Sequence, residues 1–337
     1  MPRIHNRRGL AREGQGARPP RNRILPTTTL ASIGRPRGPR NWSRQNDSLV
    51  DRGDLTIFVD LDAVHGRRRG AGAGRGRPYP TPAILLAAVV QVVFHEPLRQ
   101  AEGTTRMLWR LLGLTGRHPD YTTICRRRTT LDLDWGPPPP GGHVLIIDAT
   151  GIRLDARRGW ADDKPGADQR RGRYLKLHLG MDATTGLVLA AVITEADGAG
   201  SGDASCGPDL IDAAADWLGV EGWLDGGIGD GAYDAKSCYE RIRRRGRGPW
   251  LAPPPDNARL GVDPIRDLHV GAQRRLGTKL WKERSGYHTR SLVESWNGAA
   301  KATVGLASRA HSFETQAAEV LTQVWVYHAG VVRCPIR

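Results

Sequence analysis

Three carboxylates and three groups beside them have the types and spacing to do chemistry together. Asp148 lies in IIDATG, Asp230 in GDGAYD and Glu294 in SGYHTRSLVESWNGAAK, a stretch that also carries Tyr287, Arg290 and Lys301. A helix turns about 100° per residue, so Tyr287, Arg290, Glu294 and Lys301 would share a face within about 60° of one another. One acid among two cations and a ring suits a metal ligand beside a phosphate backbone. Taken singly, each acid has a plainer reading. Glu294 could be the i,i+4 partner of Arg290 on a solvated face. Asp148 could cap a turn before Gly151, and Asp230 has Asp225 and Asp234 as neighbours, of which Asp234 reads as a helix N-cap. Together, two acids at strand ends and one on a helix over them suit a hard cation. A buried carboxylate is costly unless it caps, pairs or binds metal. Mg²⁺ or Mn²⁺, in two copies, would clamp the attacking and leaving oxygens of a phosphodiester there, and nearby arginines would add positive charge.

The elements that must position these residues can be read from pattern. Residues 143–149 (HVLIIDA) form a short, nearly continuous apolar run ending in an acid, as a central strand does. Residues 175–182 and 187–194 flank a turn at 183–186 and make a hairpin. An amphipathic helix is expected over 208–218, and a glycine-diluted strand over 222–229 leads to Asp230. Asp234 would cap a helix over 235–245, and 249–253 reads as a short strand. Residues 256–282 are polar and basic with little periodicity, and the helix bearing Glu294 follows. A three-strand meander followed by alternating helix and strand is an α/β mixed sheet with flanking helices, in the order of the ribonuclease-H-like fold.

Before the sheet the chain reads differently. Residues 1–40 hold ten arginines against one acid, Glu13, with too few large apolar residues to offset ordering entropy, so disorder is expected. Residues 41–136 read as a helical region interrupted by a basic, glycine-rich loop at 66–82 that suits tracking phosphates or simple linkage. A core helix over 83–95 follows Pro82. A second, over 98–114, carries Leu108, Leu111 and Leu112 at helical spacing. A third, over 121–131, is capped by Asp120 and bears Arg126, Arg127 and Arg128. Three short helices with arginines on the last resemble a helix-turn-helix DNA-binding arrangement. A Pro/Gly linker at 137–142 separates this region from a catalytic domain at 143–310, and 311–337 forms a C-terminal helix and tail.

The 337 residues carry a net charge of +15 with only six lysines, so arginine dominates. That surplus points to a polyanion, most economically double-stranded DNA. A membrane partner is disfavoured because no apolar run approaches the roughly 20 residues that span a bilayer. No secretory leader is visible, and Cys125, Cys206, Cys238 and Cys334 show no zinc-ligand spacing. A reducing cytoplasm is therefore expected.

At this point the sequence resembles the DDE transposases of bacterial insertion sequences, of the insertion-sequence-five type. The resemblance begins near Asn41-Trp42-Ser43 and runs to about Lys301. It rests on PLRQAEG (97–103), DYTTICRR (120–127), IIDATG, RYLKLHLGMDATTG (173–186), DGAYD (230–234) and SGYHTRSLVE (285–294). Its most specific part is Tyr, two residues, Arg, three residues, Glu, six residues, Lys, matched by Tyr287, Arg290, Glu294 and Lys301. The resemblance implies that Asp148, Asp230 and Glu294 bind the metals. Tyr287, Arg290 and Lys301 would contact the DNA end or shape the site, and the protein would work as a homo-oligomer on paired ends, with no small-molecule substrate. The chain departs from the family between Glu294 and Lys301, where SWNGAA replaces aromatic and basic residues and Gly298 would cost a helix about 1 kcal/mol. The rival functions are a non-catalytic DNA-binding relative and a nuclease of the same fold that hydrolyses without joining.

Overall fold

The computed structural model describes residues 5–6, 42–51, 53–54, 58, 60–64, 79–114, 116–154, 174–196 and 200–333. The expected disordered arm thus lies outside the described residues apart from β1 (His5–Asn6), and so do most of the glycine-rich loop, the 155–173 segment and Cys334. Two short helices, α1 (Trp42–Asp51) and α2 (Leu61–Val64), precede α3 (Thr81–Val93), α4 (Leu98–Leu111) and α5 (Tyr121–Arg128). The sheet strands are β2 (Gly141–Leu154), β3 (Tyr174–Asp182), β4 (Val188–Glu195), β5 (Gly222–Ile228), β6 (Trp250–Leu251) and β7 (Ala307–Ser308). Among them lie α6 (Asp203–Leu218), α7 (Lys236–Arg245), α8 (Pro264–Ser285) and α9 (Ser291–Val304), and α10 (Phe313–Arg333) follows β7.

The sheet runs β1-β4-β3-β2-β5-β6, with β7 also pairing β2. β2, β3 and β4 form an antiparallel meander, and β5 and β6 join in parallel. This mixed sheet flanked by helices is the ribonuclease-H-like arrangement expected from the element order. β2 is apolar on both faces because both are covered: Val144, Leu145, Ile146 and Ile147 are all buried. Each fully buried aliphatic side chain of this kind contributes about 2 kcal/mol.

β2 is longer than the apolar run that announced it, so Asp148 sits inside the strand, not at its end. Its register explains the consequence. β5 leaves β2 at Ile146↔Ile228, and β7 meets it only at Arg153↔Ala307. Between these partners one edge of β2 is left to α9, which packs along it. Asp148 and Asp230 each lie two residues beyond the last β2–β5 pair, Asp148 within β2 and Asp230 just past the end of β5.

The glycines of β5 have a packing reason. A Cβ on Gly227 would meet the Trp250 ring at 2.5 Å, and one on Gly229 would meet it at 2.7 Å. The indole, fully buried, lies against the strand and donates its N–H to the Tyr233 carbonyl at 3.1 Å.

Several expectations need correction. Residues 256–282 contain α8, two helical stretches joined at Gly277, where a φ of 77° interrupts the run. Asp263 caps it through the N–H groups of Ile265 and Arg266, with Pro264 in the first turn. Its buried residues are Arg266, Val270, Gln273 and Trp281, half of them polar, so no apolar stripe advertised the helix. Asp234 is not the cap of α7. It accepts two hydrogen bonds from Nε and Nη2 of the buried Arg266 and another from the Tyr239 hydroxyl at 3.0 Å. α6 begins five residues before its expected start and carries Pro208 inside it. On α4 the buried residues are Ala101, Thr105 and Trp109, whereas Leu111 and Leu112 are exposed.

The three helices ahead of the sheet share its core. α3 is apolar around most of its circumference, with Ala83, Ile84, Leu86, Val89 and Val90 buried. It packs against α4, α5 and α10, and one continuous apolar core runs through α3, the sheet, α6 and α10. Among the described residues no single helix is long and apolar enough to cross a membrane; α3 and α4 reach that length only as a pair bent by 116°.

Candidate active site

Asp148, on the open edge of β2, is met by side chains from α9 and the single 3-10 turn before it (Tyr287–Arg290). Gly286, left-handed at φ 75°, ends α8 and lets the chain turn back so that this segment lies against β2. Arg290 Nη1 donates to Asp148 Oδ1 at 3.1 Å, and Arg290 Nη2 donates to Glu294 Oε1. Asn297 Nδ2 donates to Asp148 Oδ2 at 3.2 Å. One turn further on, Lys301 Nζ donates to the Thr150 hydroxyl at 2.6 Å. Thr150 is two residues along the strand from Asp148 and so shares its face.

Tyr287 is buried. Its ring lies 5.9 Å from that of Trp281, with the Arg290 guanidinium carbon 5.9 Å and Lys282 Nζ 5.3 Å from its centroid. Cations against the ring face are favourable, and the aromatic pair fixes the ring on which Arg290 rests. Glu294 is half-exposed, at 52 % for its side chain. Asp230 follows β5 and caps a short 3-10 turn (Gly231–Tyr233), accepting from the Ala232 N–H at 2.9 Å.

The electrostatics tie the three acids together. Burial pushes the Asp148 carboxyl above the usual carboxylate range; Arg290 opposes this, and the charges of Asp230 and Glu294 reinforce it. Burial works against the Arg290 charge, yet Tyr287, Glu294, Asp148 and Asp230 hold its pKa above the ordinary value. An isolated ion pair would lower the acid as it raised the base. Here the acid rises because one guanidinium does not offset burial plus two further carboxylates. The Tyr287 phenol is likewise pushed up, by burial first and with Arg290 opposing.

A divalent cation suits this set by donor type and charge. All three acids offer hard oxygen ligands, and the like charges that raise Asp148 are what a cation relieves. As the side chains stand, no three acids, histidines or cysteines among the described residues are gathered closely enough to hold an ion. Arg290 bridges Asp148 and Glu294 and supplies the positive charge between them. A cation held between these acids would require Arg290 to leave that position.

The sequence reading missed Asn297 and Thr150. Both had a signal. Asn297 is seven residues from Arg290 and three from Glu294, on the same helical stripe, and Thr150 follows the strand period of two from Asp148. Trp296, also in the divergent SWNGAA stretch, seats its ring edge-on against Tyr327 of α10 at 4.9 Å and so anchors α9.

The three α5 arginines are not part of this constellation. Arg128 is turned inward, where it donates to Gln91 Oε1 and lies 3.6 Å from Glu319. Its expected role at DNA is corrected accordingly: its guanidinium is committed to a buried pair linking α3, α5 and α10. Arg127 is half-buried and bonds the Tyr79 carbonyl at 3.3 Å, and Arg126 is exposed. Other arginines are also committed to acids. Arg241 and Arg245 pair with Asp212 and Asp216, and Arg243 with Asp263.

A family model for the transposase DDE domain matches residues 139–328, more than half of the chain, and a second transposase DDE domain model matches residues 50–157.

Proposed function

From the premise that the chain belongs to the DDE transposase family, we propose that it cuts DNA at the ends of an insertion sequence and joins the freed ends to target DNA. Asp148, Asp230 and Glu294 hold Mg²⁺ or Mn²⁺ in this reading. Bound there, the cations lower the pKa of the attacking water and neutralise charge on the phosphate. Water attacks phosphorus, the P–O3′ bond breaks, and a 3′-hydroxyl is left. That hydroxyl then attacks a target phosphodiester, one P–O bond forming as another breaks, so no covalent protein–DNA bond is needed.

The observation that carries this reading is the seating of α9 on the free edge of β2. It brings Arg290, Asn297 and Lys301 onto Asp148 and Thr150, and Arg290 also bonds Glu294. The protein's own contribution is positional and electrostatic. Arg290 turns from the carboxylates to a phosphate, Lys301 adds charge one turn away, and Tyr287 supports the Arg290 stem. The DNA is held by a homo-oligomer, each copy on one end, in the bacterial cytoplasm.

The test is nicking and joining of DNA carrying the element's inverted repeats. Activity is expected with Mg²⁺ or Mn²⁺, lost in excess EDTA, and lost in Asp148→Ala and Glu294→Ala. Cleavage that persists in EDTA would overturn the metal mechanism. A second reading, DNA binding without cutting, draws on the Arg290 bridge, which leaves no closed set of ligands as it stands. Tight binding to the repeats with no cleavage in any divalent metal would favour it.

A further inference from the structure

We propose that Asn297 is a positioning residue for Asp148: it keeps hold of Oδ2, so that Oδ1 is the oxygen freed for a divalent cation when Arg290 leaves. The inference rests on the metal-site reading above and adds a residue that the match to the Tyr-Arg-Glu-Lys spacing does not include.

Asp148 accepts from two side chains, one on each oxygen: Arg290 on Oδ1 at 3.1 Å and Asn297 on Oδ2 at 3.2 Å. The two contacts differ in what a cation does to them. A guanidinium and a divalent cation repel each other at short range, so they cannot share one carboxylate oxygen without cost. Arg290 also has other engagements, at Glu294 and over the Tyr287 ring, and a DNA phosphate would compete for it. Asn297 is neutral, so its N–H can stay on the second oxygen while the first binds metal.

The orientation of the amide is fixed by chemistry. An ionised carboxylate only accepts, so the NH₂ end of Asn297 must face Asp148 and its Oδ1 must point away. Asn297 is buried, 6 % exposed, and that Oδ1 has no hydrogen-bond partner. An orphaned buried acceptor is costly, so it asks for a donor that arrives with the ligand, such as cation-bound water. The backbone that presents the amide is itself held, because the adjacent Trp296 is seated on Tyr327. Hydrogen-bond partners of metal ligands set ligand orientation in this way, and losing one typically costs about 10–100-fold in affinity or activity.

The experiment is calorimetric titration of the full chain with Mn²⁺, for wild type, Asp148→Ala and Asn297→Leu, with the metal-free melting temperature measured alongside. Asn297→Leu is expected to weaken Mn²⁺ binding by about 10–100-fold while the metal-free protein melts near wild type. Should the leucine prevent folding, Asn297→Ala, which only removes atoms, carries the same expectation. Mn²⁺ affinity within about twofold of wild type in a folded Asn297 variant, where Asp148→Ala abolishes binding, would overturn the inference and leave the metal site standing. Unchanged binding in Asp148→Ala would remove the metal site, and this inference with it. Failure of both Asn297 variants to fold would assign the residue to the fold alone and equally overturn the proposal.

Discussion

His328 gives the protein a built-in weakness to acid, and its size can be worked from the structure. The side chain is buried on α10, with its ring 5.2 Å from that of Trp135, and its Nδ1 accepts the Val188 N–H of β4 at 3.2 Å. Accepting through Nδ1 requires a lone pair there, so the folded ring is neutral and carries its proton on Nε2. Burial lowers its pKa from 6.5 to about 4. The folded pKa of a base is thus depressed, and the unfolded chain takes up the proton first. The stability at stake is fully present above pH 6.5 and drains away as pH falls toward 4. Two-state linkage puts the loss at about 2 kcal/mol by pH 5 and about 3 kcal/mol by pH 4, a large part of the roughly 5–15 kcal/mol a domain possesses. Urea unfolding of wild type and His328→Asn from pH 7.5 to 4.5 tests this, because the asparagine Oδ1 can accept the Val188 N–H without titrating. The wild type is expected to lose about 2 kcal/mol more than the variant between pH 7.5 and 5. Parallel curves would refute the reasoning. His269, held down to about 4 chiefly by burial, is present in both proteins and cancels in the comparison.

Other perturbations follow from the same geometry. Gly298 is exposed inside α9 with open space around its missing Cβ, so Gly298→Ala should stabilise the protein by up to about 1 kcal/mol in denaturant unfolding. A destabilised variant would mean that this helix is constrained in some other way. Gly227→Ala should do the reverse, by about 1–3 kcal/mol, because its Cβ would sit 2.5 Å from the Trp250 ring. An unchanged melting temperature would mean that β5 and the indole can part freely. Glu319→Ala should cost about 3–5 kcal/mol, since it strands the buried Arg128 and removes the acceptor used by Gln91, Ser308 and Arg309. A loss below about 1 kcal/mol would show that these groups find other partners.

How far the fold was legible depended on whether burial was apolar. The β2 run, the hairpin from β3 to β4 and the α3 helix announced themselves because Leu, Ile and Val fill their buried positions. α8 did not, since it is held by Arg266 on Asp234 and by Gln273 as much as by Val270 and Trp281. Its start was still readable as Asp263-Pro264, a capping acid followed by a proline in the first turn. Charge misled in the same way on α5. An Arg-Arg-Arg run looks like a DNA-facing surface, yet the helix turns about 100° per residue, so three consecutive arginines cannot all face one way. Arg128 is the one that points into the core, and its partner Glu319 lies 191 positions further along the chain, beyond the reach of any local pattern.

Within the candidate site, the stretch between Glu294 and Lys301 was the part misread. Strand-end and helix positions suggested Asp148, Asp230 and Glu294, the family resemblance added roles for Arg290 and Lys301, and the structure brings Arg290 and Lys301 onto β2. The stretch SWNGAA looked like a departure because it lacks the aromatic and basic residues of the resembling family. It does contain an aromatic residue, Trp296, which faces α10 and Tyr327, and a polar one, Asn297, which faces Asp148. A helix that must contact α10 on one side and a carboxylate on the other needs an apolar and a polar group at neighbouring positions, roughly 100° apart, and Trp296-Asn297 meets that need. The same geometry makes the support of the site non-local. α9 is steadied by α10, α10 is tied to β4 through His328, and to α3 and α5 through Glu319. Acid that favours the unfolded chain through His328 therefore weakens the same packed unit that backs Asn297 and Arg290. Transient opening of α9 away from Asp148, read by amide hydrogen exchange, should become more frequent as pH falls from 6.5 toward 4, and His328→Asn should lessen that trend.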